Sequence, residues 1–546
     1  MQNIWYKNAV FYCVDVETFM DGNGDGIGDF KGLTDRLDYI AGLGATCIWL
    51  LPFFKTPNRD NGYDISDYYS VDPRLGSLGD FVNFMQLARE RGLRVIIDLV
   101  VNHTSIDHPW FQEAVKDENS PMRSWYLWSK EKPHNAHEGM VFPGQQETTW
   151  TWHEEAQAYY FHRFYDFSPD LNPDNPDVRE EIQKIMGFWL ELGVSGFRMD
   201  AAPFVIESLK EEYRFQRHYE WLEDMRAFMS WRRGDAALLA EANVTADEVP
   251  DYVGEGDRMN LMFNFIVNQR LFLCLARNQA TELRKVMRTL PSMPLRAQWA
   301  NFLRNHDELD LGRLEPEELE ECFRAFAPDE SMRLYGRGIR RRLASMLDND
   351  RKRLELVFSL LFTLPGSPVI WYGDEIGMGD LQNLPDRFPV RTPMQWSAEE
   401  NGGFSAAPAD KLVRPVISKG PFGFDKVNVQ HQRRDRQSLL NWVEAASRVR
   451  RESPELGWGE LTVLDAGTEA VLAHTMKWQE GRMVLLHNFS PKPQKVRLEG
   501  LDEDVGSMHD VYCDQSYDGE DKMDPEKPIS LNGYGYRWMR TDGTRR

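Results

Sequence analysis

The feature that most constrains the fold of this chain is a regular alternation of short apolar runs with longer segments of helical spacing. In the first such segment, apolar side chains recur three or four residues apart, at Leu33, Leu37, Ile40 and Leu43. A strand–helix repeat predicts parallel strands, because a parallel pair needs a long crossover connection. The apolar runs are "AVFYCVDV", "ATCIWLLPF", "RVIIDLVV", "GFRMDA", "LLAEAN", "MNLMFNF", "FLRNHD" and "SPVIWYG".

Eight strand–helix units favour a closed barrel over an open doubly wound sheet. The run "RVIIDLVV" is almost continuously apolar, as expected for a strand that is covered on both faces. We therefore predict the α/β class with a (β/α)8 TIM barrel, built from residues 1–103 and 171–455.

Two regions depart from this repeat. Residues 104–170 are rich in Trp, Tyr, His and Pro without steady periodicity, which predicts an inserted domain after the third strand. Residues 456–546 contain short alternating runs such as "RMVLLHNF" and "KVRLEG", which predict a C-terminal antiparallel β-sandwich domain. The segment 397–430 has no periodicity and is too long for an ordinary connection, so it is either disordered or a loop that works near the active face.

The composition limits the kinds of molecule that the protein can bind and the compartment in which it works. The 546 residues carry a formal net charge of -22, which disfavours nucleic acid and anionic membranes and suits a small neutral substrate. No apolar run reaches the roughly 18 residues of a membrane span, and the N-terminus lacks the pattern of a signal peptide. Five cysteines without CxxC spacing fit a reducing compartment. We therefore expect a cytoplasmic protein, with a homo-oligomer left open.

Three of the predicted strands end in an acidic residue. In a parallel barrel the functional groups lie at the carboxyl ends of the strands, and Asp200, Glu241 and Asp307 occupy such ends. Strand alternation places Arg198 on the same face as Asp200, so its guanidinium should keep that carboxylate ionised. Each acid alone is more often a helix cap or an ion pair. Their joint placement, without a phosphate-binding glycine loop or an HExxH zinc motif, favours glycoside chemistry.

Four segments then resemble the α-amylase family (glycoside hydrolase family 13) in order and spacing. They are "DLVVNH" at 98–103, "GFRMDA" at 196–201, "LLAEAN" at 238–243 and "FLRNHD" at 302–307. The resemblance extends to "NGYDISDY", "SPDLN", "PGSPVIWYGDEIG" and "RTPMQW". It implies that Asp200 is the nucleophile, Glu241 the general acid and base, and Asp307 a stabiliser of the transition state.

The same resemblance implies a set of substrate-binding residues. Arg198 would hold Asp200, while His103 and His306 would bond sugar hydroxyls and Tyr63 would stack beneath the ring. Asp60 and Arg391 resemble the pair that closes the pocket in exo-acting members. Phe142 and Phe164 are candidates for aromatic walls, although core packing explains such residues about as well.

Within the family the sequence is most similar to the trehalose synthases, as in "YGRGIRRRLASMLDNDRKRLEL" and "VRTPMQW". This similarity implies isomerisation of maltose to trehalose by intramolecular transglucosylation, with a closed lid formed by the inserted domain and segment 397–430. Three alternatives remain. They are hydrolysis by an exo-acting α-glucosidase, glucosyl transfer from another donor such as sucrose or to another acceptor, and a relative that has lost catalysis and serves as a scaffold.

The run "DGNGDGIGDF" at 21–30 resembles a calcium loop. Asp21, Asn23, Asp25, Ile27 through its carbonyl, and Asp29 match ligand positions of the EF-hand template, but Gly32 stands where that template needs a bidentate Glu. Related oligo-1,6-glucosidases and trehalose synthases carry a calcium or magnesium site in this loop. We therefore predict a structural calcium ion, with magnesium as the alternative, that takes no part in glucosyl transfer, and we expect no organic cofactor.

Overall fold

The computed structural model describes residues 4–209, 214–501, 505–515, 517 and 522–542. Eight parallel strands close into a barrel in which each strand pairs with its neighbours in sequence and the last pairs with the first. This confirms the predicted (β/α)8 barrel. The strands are β1 (Phe11–Val14), β2 (Cys47–Leu50), β3 (Arg94–Leu99), β4 (Gly196–Met199), β5 (Ala237–Ala240), β6 (Leu261–Phe263), β7 (Gln298–Phe302) and β8 (Ser367–Trp371).

The seventh strand lies earlier in the chain than the sequence indicated. The run "FLRNHD" was expected to form this strand, but β7 ends at Phe302 and shares only that residue with the run. Residues 303–307 instead form an irregular segment beyond the strand, so Asp307 lies on a loop and does not end the strand. Asp200 and Glu241, in contrast, directly follow the last residues of β4 and β5.

Helices surround the barrel and begin at recognisable caps. The helix Pro176–Glu191 starts with Pro at its first turn, after Asn175 has capped the backbone N–H of Asp177. Within the described ranges, no helix is long and apolar enough to cross a membrane. The α-helices are Val16–Phe19, Phe30–Asp35, Leu37–Gly42, Leu78–Glu90, Pro109–Lys116, Pro176–Glu191, Ala202–Val205, Glu220–Arg232, Val249–Val253, Phe265–Arg277, Thr281–Thr289, Pro316–Phe326, Leu343–Met346, Arg351–Thr363, Val429–Arg434, Leu439–Arg451 and Pro454–Trp458.

Small antiparallel sheets lie in the connections that follow the carboxyl ends of the barrel strands. Between β3 and β4, the strands Trp128–Ser129, Trp150–His153 and Ala158–Phe161 form one sheet beside the helix Pro109–Lys116. Another sheet follows β7 and contains Leu309–Asp310, Arg333–Leu334 and Gly338–Ile339. Two further pairs join Glu207–Leu209 to Phe215–Arg217 and Phe54–Lys55 to Asp67–Val71.

The C-terminal region consists of two antiparallel sheets that share a core. The larger sheet has the order β9 (Glu460–Leu464), β10 (Val471–Trp478), β11 (Gly481–Asn488), β15 (Tyr536–Thr541) and β13 (Met508–Cys513). The smaller pairs β12 (Gln494–Val496) with β14 (Ile529–Leu531). Buried side chains of both sheets, such as Val484 and Ile529, lie in one apolar cluster, as expected for the predicted β-sandwich.

Two buried histidines join the C-terminal sheet to the barrel. His474 of β10 donates from Nε2 to the carbonyl of Thr363 at 3.1 Å, and His487 of β11 lies 2.9 Å from the Ser359 hydroxyl. Both contacts reach the helix Arg351–Thr363 that precedes β8. Burial lowers the pKa of His474 to about 4 and that of His487 well below its usual range.

This junction predicts acid sensitivity of the fold. Because both pKa values are lower in the folded protein than in the unfolded chain, the unfolded chain binds more protons between about pH 4 and pH 6.5. Stability should therefore be fully present above pH 6.5 and fall as the pH drops, by at most about 1.4 kcal/mol per pH unit for each histidine. Melting curves at pH 7 and pH 5 should show a smaller loss in Tm for His487→Gln than for the wild type. The exposed His137→Gln serves as the control, and an unchanged pH dependence in His487→Gln would contradict the assignment.

Candidate active site

A cavity of about 340 Å³ opens at the carboxyl ends of the barrel strands. Its volume lies within the range of pockets that bind small ligands. It is lined by acids from several strand ends together with aromatic and arginine side chains from the surrounding loops. The lining residues include Asp60, Tyr63, His103, Phe142, Phe164, Asp200, Phe204, Arg217, Glu241, Asn243, Phe265, Asp307, Glu308, Asp310, Arg313, Arg337 and Arg387.

The guanidinium of Arg198 lies at the centre of this site and contacts three carboxylates. Its Nη1 lies 2.6 Å from Asp200 Oδ1 and 2.9 Å from Asp98 Oδ2, and its Nη2 lies 2.8 Å from Glu241 Oε1. The contact with Asp200 follows from strand alternation, as the sequence predicted. Arg198 is fully buried and does not line the cavity, so the acids that it holds separate it from the cavity.

Burial and the charge of Arg198 together determine the pKa values of Asp200 and Glu241. Burial raises the pKa of Asp200 to about 6 and the nearby Arg198 opposes this rise. Burial likewise raises the pKa of Glu241 to about 7, again opposed by Arg198 and reinforced by the charge of Asp200. Near pH 6.5 the site can therefore hold an ionised Asp200 beside a protonated Glu241, the pairing that a nucleophile and a general acid require.

Asp307 is the most strongly ionised of the three acids. Burial by itself would raise its pKa, but the guanidinium of Arg387 and the charges of its other neighbours outweigh burial and hold the pKa well below its usual range. Arg387 Nη1 and Arg391 Nη2 each lie 3.0 Å from Asp307 Oδ1. A fixed negative charge in this position suits stabilisation of a positively charged transition state.

Tyr63 and the two predicted histidines lie close together. The Tyr63 hydroxyl contacts Asp98 Oδ2 and His306 Nε2, both at 2.7 Å. His103 donates from Nε2 to the carbonyl of Tyr63 at 3.2 Å. Burial lowers the pKa of His103 to about 4 and holds that of His306 well below its usual range, so both rings are neutral at pH 7. Tyr63 and His103 line the cavity, whereas His306 is fully buried behind Tyr63 and Asp307.

Of the predicted pair Asp60 and Arg391, only Asp60 lines the cavity, although the charge of Arg391 acts on Asp60 and lowers its pKa against the effect of burial. Asp60 lines the cavity, and burial raises its pKa to about 7. Arg391 instead lies behind Asp307 and donates from Nε to the carbonyl of His306 at 2.7 Å. Arg387 occupies the cavity wall together with Asp60. Arg387, the first arginine of "RFPVR", was not selected by the sequence analysis, and its charge acts on Asp60 together with that of Arg391.

The predicted aromatic walls are both present. Phe142 and Phe164 line the cavity with ring centroids 5.7 Å apart, and Phe164 lies 5.0 Å from the ring of His103. Phe204 and Phe265 add two further aromatic surfaces that the sequence analysis did not select. Phe265 ends the run "MNLMFNF" and Phe204 follows Asp200 by four residues, but an aromatic residue in such a place is equally typical of the core.

A polar rim beyond Glu241 was also missed. Asn243, two residues after Glu241, donates from Nδ2 to Asp310 Oδ2 at 3.1 Å and accepts from Arg313 Nε at 2.9 Å. All three residues line the cavity. Because Asp310 and Arg313 follow β7 whereas Asn243 follows β5, only the closed barrel brings them together.

The acidic loop at 21–29 lies outside the cavity and is held by its own backbone. Asp21 accepts the N–H groups of Gly24 at 2.6 Å and Gly26 at 2.8 Å, and Asp29 accepts that of Gly32 at 2.6 Å. Across the described ranges, no three His, Cys, Asp or Glu side chains are grouped so that they could hold a metal ion. The loop does offer the oxygen donors that calcium prefers, and metal binding there stays a prediction.

Segment 397–430 packs beside this loop. Ser405 donates to Asp21 Oδ2 at 2.5 Å, and Arg414 contacts Glu17 Oε2 at 2.6 Å and the carbonyl of Arg391 at 2.9 Å. Among the described residues, none from 397–430 lines the cavity. The segment is therefore ordered and connects the loop after β1 to Arg391, which contacts Asp307.

The two raised pKa values predict a narrow pH optimum. Catalytic activity should fall below about pH 6 as Asp200 takes up a proton, and above about pH 7 as Glu241 loses one. The acid and alkaline limbs of the pH profile both report on Asp200 and Glu241 as an interacting pair. Glu241→Gln should lower kcat by about 10²–10⁴-fold and remove the alkaline limb. The profile of kcat/KM from pH 4 to pH 9 checks this, and an alkaline limb that persists in Glu241→Gln would contradict the role of Glu241.

Comparisons with known proteins agree with this geometry. The family model described as "Alpha amylase, catalytic domain" matches residues 14–314 and 339–459. A trehalose synthase from Thermus thermophilus is 44% identical over 503 residues, which cover 91% of this chain but 52% of that protein. The chain thus spans about half the length of this relative. A trehalose synthase from Pimelobacter sp. (strain R48) is 41% identical, with 98% of this chain and 96% of that protein covered.

A solved structure extends the comparison to the whole fold. A trehalulose synthase variant in complex with Tris superimposes with a TM-score of 0.80 at 25% sequence identity, covering 98% of this chain and 100% of the other. The family model spans the part of the barrel that contains Asp200, Glu241 and Asp307. The chain belongs to the α-amylase family, glycoside hydrolase family 13.

Proposed function

We propose that this protein interconverts maltose and trehalose by transferring a glucosyl unit within one enzyme-bound complex. The observation that carries the proposal is the convergence of Asp200, Glu241 and Asp307 on one small cavity, with Arg198 holding the first two. The similarity to trehalose synthases over more than nine-tenths of this chain supports the isomerase over other members of the family.

In the first step, Asp200 attacks the anomeric carbon of the maltose glucosyl unit while the glycosidic bond breaks. Glu241 gives its proton to the departing oxygen, so free glucose and a covalent glucosyl ester of Asp200 result. The ionised Asp307 stabilises the oxocarbenium-like transition state by its charge. Because two nitrogen atoms of one guanidinium hold Asp200 and Glu241, the two carboxyls lie close together, which favours the retaining mechanism.

In the second step, the same groups act in reverse. The released glucose turns so that its anomeric hydroxyl faces the ester, and Glu241 removes the proton of that hydroxyl. The oxygen attacks the anomeric carbon and Asp200 leaves, which forms the α,α-1,1 linkage of trehalose with net retention. Water that reached the ester at this stage would give two glucose molecules, so closure of the cavity decides between isomerisation and hydrolysis.

The decisive experiment follows the sugars by NMR. The purified protein should form trehalose from maltose and maltose from trehalose, with glucose as a minor product, whereas incubation with sucrose tests the alternative donor. Glucose alone from maltose would replace the proposal with hydrolysis by an exo-acting α-glucosidase. Asp200→Ala should lose activity by about 10⁴-fold or more, and a function retained by this variant would favour the scaffold alternative.

We also propose that a structural divalent cation, calcium or alternatively magnesium, binds the acidic loop 21–29. Asp21, Asn23, Asp25, Asp29 and the carbonyl of Ile27 would supply its oxygen ligands. The ion would hold the loop against segment 397–430 through the contact of Asp21 with Ser405. This position lies outside the cavity lining, so the ion takes no part in bond making.

Removal of the cation should therefore lower stability more than turnover. Treatment with EDTA should lower Tm by several degrees, and calcium should restore it, while the protein that stays folded keeps its activity. Asp25→Asn should abolish the response of Tm to calcium, whereas Asp410→Asn, which changes a nearby exposed acid, should keep it. An immediate and reversible loss of activity at unchanged fold would show that the ion acts in catalysis.

A further inference from the structure

Two distant parts of the chain meet over the cavity. One is the segment of the inserted region that contains Val141 and Phe142, and the other is the hairpin 333–339 after β7. The ring of Tyr335 stacks on that of Phe142, with centroids 4.8 Å apart and an angle of 29° between the planes. Arg337 Nη2 donates to the carbonyl of Val141 at 3.0 Å. We call these contacts the roof contact.

Phe142 is the element of the roof contact that faces the cavity. Its ring lines the cavity and is only 2% exposed, whereas Tyr335, at 8% exposed, covers it from outside and does not line the cavity. Loss of the Tyr335 ring would therefore uncover one side of Phe142. Phe142 also contacts Phe164 and Tyr165 of the inserted region and the guanidinium of Arg387, so Tyr335 is its aromatic neighbour from the hairpin.

Tyr335 occupies a backbone position that disfavours its residue type. It has a φ of 54° and is followed by Gly336 at 68°, and Arg337 N–H donates to the carbonyl of Leu334 at 3.3 Å. Residues 335–337 connect the paired residues Leu334 and Gly338, and the positive φ at position 335 lies in the left-handed region, which Asn, Asp and Gly adopt more readily than Tyr. A tyrosine there carries a conformational cost that Asn, Asp or Gly would avoid, and its stacking on Phe142 is a contact that can offset this cost.

Arg387 links the roof contact to Asp307 and to its neighbour Glu308. The guanidinium of Arg387 lies 4.9 Å from the ring centre of Phe142 and 5.5 Å from that of Tyr335. Its nitrogen atoms contact Asp307 Oδ1 at 3.0 Å and Glu308 Oε2 at 2.7 Å. The position of the roof is thus fixed relative to Asp307 through a single side chain.

We propose that Tyr335 is a specificity-determining positioning residue that holds Phe142 over the cavity, so that the released glucose is kept and water is kept out until transfer is complete. This inference rests on the proposed isomerase function. Tyr335 does not touch the substrate and acts only through Phe142.

The test compares Tyr335→Asn with Tyr335→Phe. Asn suits the backbone conformation of position 335 better than Tyr does, so Tyr335→Asn removes the ring without straining the hairpin. Tyr335→Phe keeps the ring and serves as the matched control. Each protein is incubated with maltose in the presence of free ¹³C-labelled glucose, and NMR measures the glucose formed and the label that enters trehalose.

Tyr335→Asn should raise both the glucose fraction and the labelled fraction of trehalose several-fold, while Tyr335→Phe matches the wild type. The rate of aryl α-glucoside cleavage at saturating substrate should change little, because the acids stay in place. If the wild type forms trehalose but Tyr335→Asn leaves both fractions unchanged, or if Tyr335→Phe raises them equally, the role of Tyr335 is wrong. If the wild type forms only glucose, the proposed function and this inference both fail.

Discussion

The site depends on one buried guanidinium. Arg198 is fully buried and contacts Asp98, Asp200 and Glu241, which come from three adjacent barrel strands or their ends. Three carboxylates in a buried site would repel one another and take up protons, and Arg198 opposes both effects. It leaves Asp200 and Glu241 with pKa values of about 6 and about 7, so that one acid can attack while the other donates a proton.

The cavity is closed by parts of the chain that are far apart in sequence. The inserted region supplies Phe142, the hairpin after β7 supplies Tyr335 and Arg337, and the segment before Arg391 supplies Arg387. Segment 397–430 was expected to take part in this closure. It instead holds the loop after β1 through Ser405 and Arg414, so it supports the wall without forming it. In the proposed mechanism, closure rather than the acids separates isomerisation from hydrolysis.

The barrel fold and the three acids could be predicted from the sequence for a physical reason. Apolar runs that alternate with helical spacing allow few folds, and acids at the ends of parallel strands must meet at one face of the barrel. The same reasoning misplaced β7, because "FLRNHD" is apolar only at its start. It also missed Arg387, which lines the cavity and contacts Asp307 beside Arg391, since spacing gives no positions to two arginines in one irregular segment.

The sequence by itself determined the family, the barrel, the set of acids and the contact of Arg198 with Asp200, because these follow from local patterns and strand periodicity. Only the tertiary structure decided which side chains face the cavity, how the acids share their protons and what covers them. Tyr335 shows the difference: its turn conformation and its stacking on Phe142 depend on a contact across nearly two hundred residues. No local pattern encodes such a contact, because it exists only once the loops of separate strands pack together.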